Sequence, residues 1–582
     1  MRSLPHFSAP VNKHPRGPGR PPIRTSERER RLIRHLVQAA VSNDELPGDD
    51  ELGQLIGCCE RTARQIRLEH GLNRHDLKRW MRQRFDGSQS QDDEILCYTP
   101  FAGLWLLVPL IVQSILLPAA ALLKWPTKTT VEAWQFVLTL LMWAILGFRR
   151  FFHLEDFRHQ ADLGLALFTG RMKLLSDSTL WRLVHTVKPE SERAFYLTTA
   201  AETIDAGALD SAGVVSFDDH VVPSFTKLSP LPLGKTKVPT RGRSYPAFRL
   251  ASIFDMLKER FLGLLARGPN ARLSKVLPEL IAEVRRLKAL AGHPTPNKLR
   301  IIYDRGGYRG DVFEKLMEDP DLTFLTMACC YPKSVRQWEA IPEEEFVPYN
   351  PPGEGNRDLK IADSTTTIRG CRYPIRSIVI RDDSSTTKQR WRVLFTNDEE
   401  SAPADLDQEY RTRQHHEDAI GEVKHALAGD CLPKAYWLLR EPNEQGERRH
   451  TVGTKTSKET TPETHLVAWV KHLGYNLVKD FGAALGGEYA KMKVGTLVRK
   501  FIARPGVLRL KGRELWVTLE PFVGHRILVP WLERINTQRY TIPWLDNLVL
   551  RVDVAQEPLG HATPPTRIRR LIFANSAQPT PA

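Results

Sequence analysis

The sequence predicts an α/β chain, and three observations carry that reading. Two short β-like runs, Val214-Val-Ser-Phe217 and Leu299-Arg-Ile-Ile-Tyr303, each lead into an aspartate. A helix-patterned stretch from Ala251 to Leu290 lies between them, and another surrounds Tyr410 to Lys424. At 582 residues the chain exceeds what one compact core organises, so several folded units are expected.

Lys and Arg outnumber Asp and Glu to give a formal charge of +15, which favours a polyanionic partner because phosphate contacts release condensed counterions. The excess is clustered. Residues 2–34 hold nine basic side chains against two acids. Phe225 to Leu250 carries Lys227, Lys235, Lys237, Arg241, Arg243 and Arg249 with no acid, and Tyr489 to Trp516 carries eight basic residues against Glu514 alone. Seven cysteines form no Cys-x-x-Cys pair, so neither a zinc site nor a disulfide framework is indicated and a reducing cytoplasm fits best. Arg/Pro-rich sequence stands where a signal peptide would need an apolar segment.

Along the chain, residues 1–26 read as a basic tail in which Gly19-Arg20-Pro21 matches the core of a minor-groove AT-hook. Residues 27–95 have helical patterning. Within them Glu51-Leu-Gly-Gln-Leu-Ile56, a brief turn and Arg61 to Leu68 suggest a helix-turn-helix that offers Arg61, Arg64 and Arg67 to the major groove. Residues 96–210 form a helical layer. Its 23 uncharged residues from Phe101 to Leu123 are long enough for a membrane span, but Pro109, Gln113, Ser114 and Pro118 interrupt them, which favours a buried layer between domains. Residues 211–330 and 406–521 make up two parts of a core around a β-rich stretch at 331–405, whose best strands are Ser377 to Arg381 and Trp391 to Phe395. Residues 441–463 read as a polar loop, and 522–582 as a C-terminal region.

The third chemical element lies in the last part of that core. Tyr410, Arg413, Glu417 and Lys424 fit the spacing Tyr-x2-Arg-x3-Glu-x6-Lys. On one continuous helix they fall within an arc of roughly 60°. Ile420, Val423 and Leu427 form an apolar stripe beside the arc, so the polar face can look into a cleft, while Asp418, Glu422, His415 and His416 point elsewhere.

With Asp218 and Asp304-Arg305-Gly306, this signature resembles the DDE transposases of bacterial insertion sequences, in particular the YREK-bearing, insertion-sequence-four-like group. The resemblance runs from about Ala200 to Pro521. It implies an RNase H-like core, a mixed sheet flanked by helices, with a β-rich insertion and here an N-terminal helical DNA-binding region. It further implies that Asp218, Asp304 and Glu417 are catalytic and hold two Mg²⁺ or Mn²⁺ ions. One ion would activate water or a DNA 3′-hydroxyl, and the other would stabilise the leaving oxygen. Lys424, Arg413 and Tyr410 would contact DNA, with double-stranded element ends and target as partners and a homodimer on DNA in the bacterial nucleoid. Where the family has a small residue and Thr after the first Asp, this chain has Asp219 and His220, so Asp219 stays an alternative to Asp218. Gly306-Gly307 before Tyr308 replaces the commoner single Gly.

Trp338 or Trp391 could stack an extruded base, although packing suits both better. A tyrosine recombinase is set aside because no His-x-x-Arg occurs. The alternatives are a catalytically inactive, transposon-derived DNA-binding protein and, behind it, a membrane protein.

Overall fold

The computed structural model describes residues 31–32, 35–36, 39, 46–69, 95–126, 129–160, 162–204, 214–223, 235–237, 244–268, 271–292, 298–355, 357–385, 390–432 and 462–559. The Gly19-Arg20-Pro21 element, most of the first two basic stretches and nearly all of the polar loop lie outside the described residues. Along the chain run α1 (Asp49–Ile56), α2 (Glu60–Glu69), β1 (Ile95–Thr99), α3 (Ala133–Ile145), α4 (Pro189–Thr203), β2 (Val214–Pro223), β3 (Lys235–Lys237), β4 (Ser244–Asp255) and β5 (Arg260–Arg267). There follow α5 (Leu273–Leu290), β6 (Leu299–Tyr303), α6 (Gly310–Met317), β7 (Leu322–Met327), β8 (Val347–Pro348), β9 (Leu359–Thr367), β10 (Pro374–Asp382) and β11 (Trp391–Thr396). The last are α7 (Pro403–Thr412), α8 (Gln414–Ala426), α9 (Pro462–Leu485), β12 (Gly506–Lys511), β13 (Glu514–Leu519), α10 (Val529–Gln538), β14 (Thr541–Ile542) and β15 (Leu548–Val554).

The fold is mixed α/β with mixed sheets, divided into two compact units: Met1–Ala102 with Pro505–Ala582, and Gly103–Arg504. These limits differ from the expected segment 406–521, because residues 506–519 pair with β1 and β15 and not with the larger sheet.

In the first unit, Leu52 and Ile56 of α1 and Ala63 and Ile66 of α2 share a buried core with Leu32, Leu36 and Leu46. The turn between the helices passes through Gly57 at φ 67°, a left-handed conformation in which a Cβ would be strained. Arg67 is 5 % exposed and pairs with Asp49 at 2.7 Å, tying the end of α2 to the start of α1. The same unit holds a five-stranded sheet in the order β1-β12-β13-β15-β14. Its buried row of Leu515, Val517 and Leu519 alternates with half-buried Glu514, Trp516 and Thr518, the period-two pattern of a sheet with one face on a core. Asn536 of α10 clamps β15 through both the N–H and the C=O of Val552.

The second unit is organised by a ten-stranded sheet, β3-β4-β2-β6-β7-β11-β10-β9-β8, with β5 also pairing to β4. Its centre is parallel: β2 runs with β6, and β6 with β7, while the flanking pairs are antiparallel. Helices α5 and α6 supply the connections that such parallel neighbours require. The stretch 331–405 opens with a helix, Pro332–Glu339, and its strands continue the same sheet outward from β7 through β11.

Two expectations are corrected here. The helix expected over 251–290 is confined to α5, and residues 251–267 form most of the β4–β5 hairpin. Phe261 to Ala266 are almost all apolar and buried on both faces, a run whose periodicity does not separate strand from helix. The uncharged run from Phe101 is broken into a 3₁₀ turn (Ala102–Leu107) and short helices (Val108–Gln113 and Leu116–Ala120). Among the described residues no helix is long and apolar enough to cross a membrane.

Apolar all round, α3 is buried, as such a helix must be, and α9 lies against it. Helix α9 also fastens the unit through buried polar groups. Its Asn476 takes both the N–H and the C=O of Phe261, and Trp469 donates to Thr199 at 2.8 Å. Lys471 donates to the carbonyls of Leu427 and Ala428, just past the end of α8, at 3.0 and 2.5 Å, and burial lowers its ammonium to about 7.

Removing Asp49 would leave Arg67 buried without this carboxylate. Asp49→Ala is therefore expected to lower the stability of the helical part of the first unit by about 3 kcal/mol. Hydrogen exchange at residues 49–69 reads this, and unchanged protection would count against the ion pair.

Candidate active site

Asp218 lies on β2 at the point where its parallel partner stops. The register pairs Phe217 with Tyr303, the last residue of β6, and Asp304 follows immediately. The two carboxylates thus stand side by side at the carboxyl end of the parallel strands. The expectation that the first strand would end at Asp218 is corrected: β2 continues to Pro223 because the longer β4 keeps pairing with it. A 3₁₀ turn over Arg305–Gly307 then carries the chain away from Asp304. Of the two adjacent glycines, Gly307 is the constrained one, since a Cβ there would come within 2.5 Å of the Tyr303 ring. At Gly306 the nearest atoms would be 3.7 Å away, an ordinary contact.

Alternation along β2 separates the two candidate aspartates, because successive side chains point to opposite faces. Asp219 meets Arg249 of β4 at 2.6 Å. Asp218 instead meets Arg413 at 3.3 Å, and Arg413 also grips Glu417. One guanidinium therefore bridges the first aspartate and the glutamate.

The helix that was expected to carry all four signature residues is two helices. The chain tightens at Arg413, where Arg413 N–H donates to the Tyr410 carbonyl at 3.1 Å and His416 N–H to that of Arg413 at 3.0 Å, both three residues apart. Tyr410 consequently belongs to α7, and Glu417 and Lys424 to α8. Tyr410 is 6 % exposed and packs with Ile302, Leu325, Leu394 and Leu406, so the surface role expected for it is not what the structure gives. Its ring lies 5.8 Å from the guanidinium carbon of Arg413, which is itself buried. Glu417 is exposed and Lys424 half-buried.

A group that the sequence reading passed over holds α8 in place. His416 is fully buried, with Nδ1 2.9 Å from the Ser216 hydroxyl and Nε2 2.8 Å from that of Ser252, and its ring stacks on Phe254. Ser216 precedes Asp218 on the same face of β2, and Ser252 is the cross-strand partner of Asp218. Burial keeps the imidazole pKa well below 6.5, so the ring is neutral, with one nitrogen donating and the other accepting. The signal that could have found this is the serine spacing, since Ser216 and Ser252 stand where a core would call for apolar side chains.

The electrostatics follow from burial. Burial pushes the Asp218 carboxyl up to about 7, against the pull of Arg413, and the neighbouring charge of Asp304 adds to the rise. Burial lowers the Lys424 ammonium, while Asp218 pulls it the other way. The Tyr410 phenol is held up at about 12 by burial. A destabilised carboxylate beside a second one is what a hard divalent cation would relieve, so the donor chemistry of Asp218 and Asp304 fits Mg²⁺ or Mn²⁺. Among the described residues, however, no three acidic, His or Cys side chains stand ready as a metal cage, because Glu417 is turned to Arg413.

Of the remaining expected site residues, Arg61 and Arg64 are exposed, but Arg67 is spent on Asp49. Residues three apart on a helix fall behind by about 60° at each step, so the third arginine turns toward the core. Trp338 and Trp391 are 1 % and 9 % exposed with ring centroids 6.3 Å apart, and both pack in the interior and offer no stacking surface.

No protein-family model and no curated protein matches the chain. Among solved structures it is similar to a piggyBac transposase in a cryo-EM synaptic complex with hairpin DNA, at 10 % identity, covering 70 % of this chain and 81 % of that one. The TM-score is 0.33, too low to carry an argument about this chain.

Two outcomes test the site. With metal chelated, Asp218→Asn should be the more stable protein above pH 7 by about 1–3 kcal/mol. Asp218 has its pKa raised from 3.8 to about 7, so the folded state keeps a proton that the unfolded state releases, and the wild type loses stability as pH rises between those values. Denaturation curves at pH 4 and pH 8 would show it, and an equal difference at both would refute the shift. Separately, His416→Ala should cost about 2–4 kcal/mol by orphaning two buried hydroxyls, read from urea midpoints.

Proposed function

We propose that this chain is a DDE-type transposase, cutting double-stranded DNA at the ends of a transposable element and joining it to a target. The observation that supports this reading most is the pairing of Asp218 and Asp304 at the end of adjacent parallel strands, with Glu417 brought to Asp218 through Arg413. The strand order β5-β4-β2-β6-β7, three antiparallel strands followed by two parallel crossovers, supports an RNase H-like core for it.

Asp218, Asp304 and Glu417 would hold Mg²⁺ or Mn²⁺, two ions in the full reading, whose chemistry is to activate the attacking hydroxyl and stabilise the leaving oxygen. The chain's own groups do the positioning. Lys424, on the helix of Glu417, supplies a point charge for a phosphate of the transferred strand, and Arg413 a planar fork for another. A phosphate competing for Arg413 would free the Glu417 carboxylate. Tyr410 acts from the core by backing Arg413. The exposed Arg61 and Arg64 bind the duplex, and a homodimer would bridge two DNA ends in the bacterial nucleoid.

A second reading, a retired transposase that only binds DNA, is favoured by the engagement of Glu417 with Arg413. The two separate in one experiment. A plasmid with a marker between the gene's own flanking ends is incubated with the full chain and Mg²⁺, beside Glu417→Gln. The transposase reading expects metal-dependent release by the wild type and a loss of at least about 100-fold in the variant. Binding of the ends by both proteins with cutting by neither supports the binder, and equal cutting by both would overturn the triad.

A further inference from the structure

We infer that α2 reads base sequence in duplex DNA through a face made of Arg61, Arg64, Gln65 and Leu68, with Gln65 and Leu68 setting the preference. The inference rests on the DNA-binding part of the function proposed above, and not on cleavage.

The face is defined by exposure. Arg61, Arg64 and Gln65 are exposed, and Leu68 is 50 % exposed. At 100° per residue these four positions lie within an arc of roughly 100°. Ala63 and Ile66 occupy the opposite side and are fully buried against α1. Arg67 completes the buried side, which is why the outward face differs from the arginine triplet that sequence spacing suggests.

The helix is presented rigidly. A Cβ at Gly53 would come within 2.7 Å of the Cys58 carbonyl, so the turn is packed directly onto α1. The acids of α1 that would repel a phosphate backbone are partly used up: Asp49 on Arg67, and Glu51 on the Gly48 N–H at 2.8 Å. An α-helix about 10–12 Å wide fits the major groove, about 12 Å across. There each exposed side chain has a matching base edge. Arginine pairs with the two acceptors of guanine, glutamine with the donor and acceptor of adenine, and an apolar tip with the methyl group of thymine. The charge of Arg61 and Arg64 also suits a polyanion. The occupant is therefore duplex DNA with a mixed G and A/T half-site, not a second protein helix.

The test is selection from a randomised duplex library by the full chain in chelator, repeated with Gln65→Ala, Leu68→Ala and Arg64→Ala. All three side chains are exposed, each variant is compared at wild-type circular dichroism and melting, and Leu68→Ala keeps the inference falsifiable should Gln65→Ala lose stability. The wild type should enrich one motif. Gln65→Ala and Leu68→Ala should each lose the preference at one or two positions of it, with about 5- to 100-fold weaker binding to the original sequence and the same salt dependence. Arg64→Ala should weaken binding and relax the motif at one guanine position. The inference is overturned if the wild type enriches no motif, or if the Gln65 and Leu68 variants enrich an unchanged one. Because the assay contains no metal, failure of the cleavage reading leaves its outcome unaffected, and a motif lost here says nothing against Glu417.

Discussion

Burying a histidine between two strands and a helix fixes where α8 lies against the sheet. Both ring nitrogens of His416 are satisfied by serine hydroxyls, one on β2 and one on β4, so α8 has one position at which its buried polar atoms are all partnered. Sliding the helix by a turn would leave three polar groups unmet in the interior, at about 1–3 kcal/mol each. The neighbouring residue in sequence is Glu417, and the cross-strand neighbour of Ser252 is Asp218. The buried contact thus lies one residue from the glutamate and directly across the strand pair from the aspartate.

Around that anchor the charges are arranged against their own stability. Asp218 and Asp304 are neighbours because two parallel strands run together, and burial makes the charge of Asp218 costly. Arg413 offsets part of that cost from one side only. Its own position depends on the tight turn between α7 and α8 and on the Tyr410 ring beside it. Farther back, Lys471 reaches from α9 to the carbonyls past the end of α8, so the helix is fixed at its far end by a buried lysine and at its near end by a neutral ring. Such a division, rigid support behind an electrostatically uneasy group, is what the proposed cleavage of DNA would need.

Much of this was legible in the sequence. The run Leu299 to Tyr303 coincides with β6, and the strands at 377–381 and 391–395 lie within β10 and β11. The apolar positions at 52, 56, 63 and 66 gave the paired helices their buried faces, as an amphipathic period should. What failed has identifiable causes. A hairpin buried on both faces has no alternation to read, so 251–267 looked like helix. A spacing measured on an ideal helix missed the break at Arg413, because nothing local marks a 3₁₀ step. Arg67 looked like Arg61 and Arg64, since only the fold shows Asp49 waiting for it. The serines at 216 and 252 hinted at a buried polar partner, but that it is His416 shows only when the sheet forms, since the three are distant in sequence.

The pairing of β1 with β12 carries a consequence for how the protein is made. Thr99 is hydrogen-bonded in register with Gly506, so the edge that β1 offers is completed by a strand encoded about 400 residues later. At 5–20 residues per second the ribosome needs roughly 20–80 s to deliver it. During that time the intervening unit, contiguous in sequence, is free to fold on its own, while the first unit has its helices but not its sheet. The order of assembly is thus written into the connectivity: the sheet that pairs β1 with β12 cannot close before residue 506 is made, and a polypeptide cut short before that point would carry an unpaired strand.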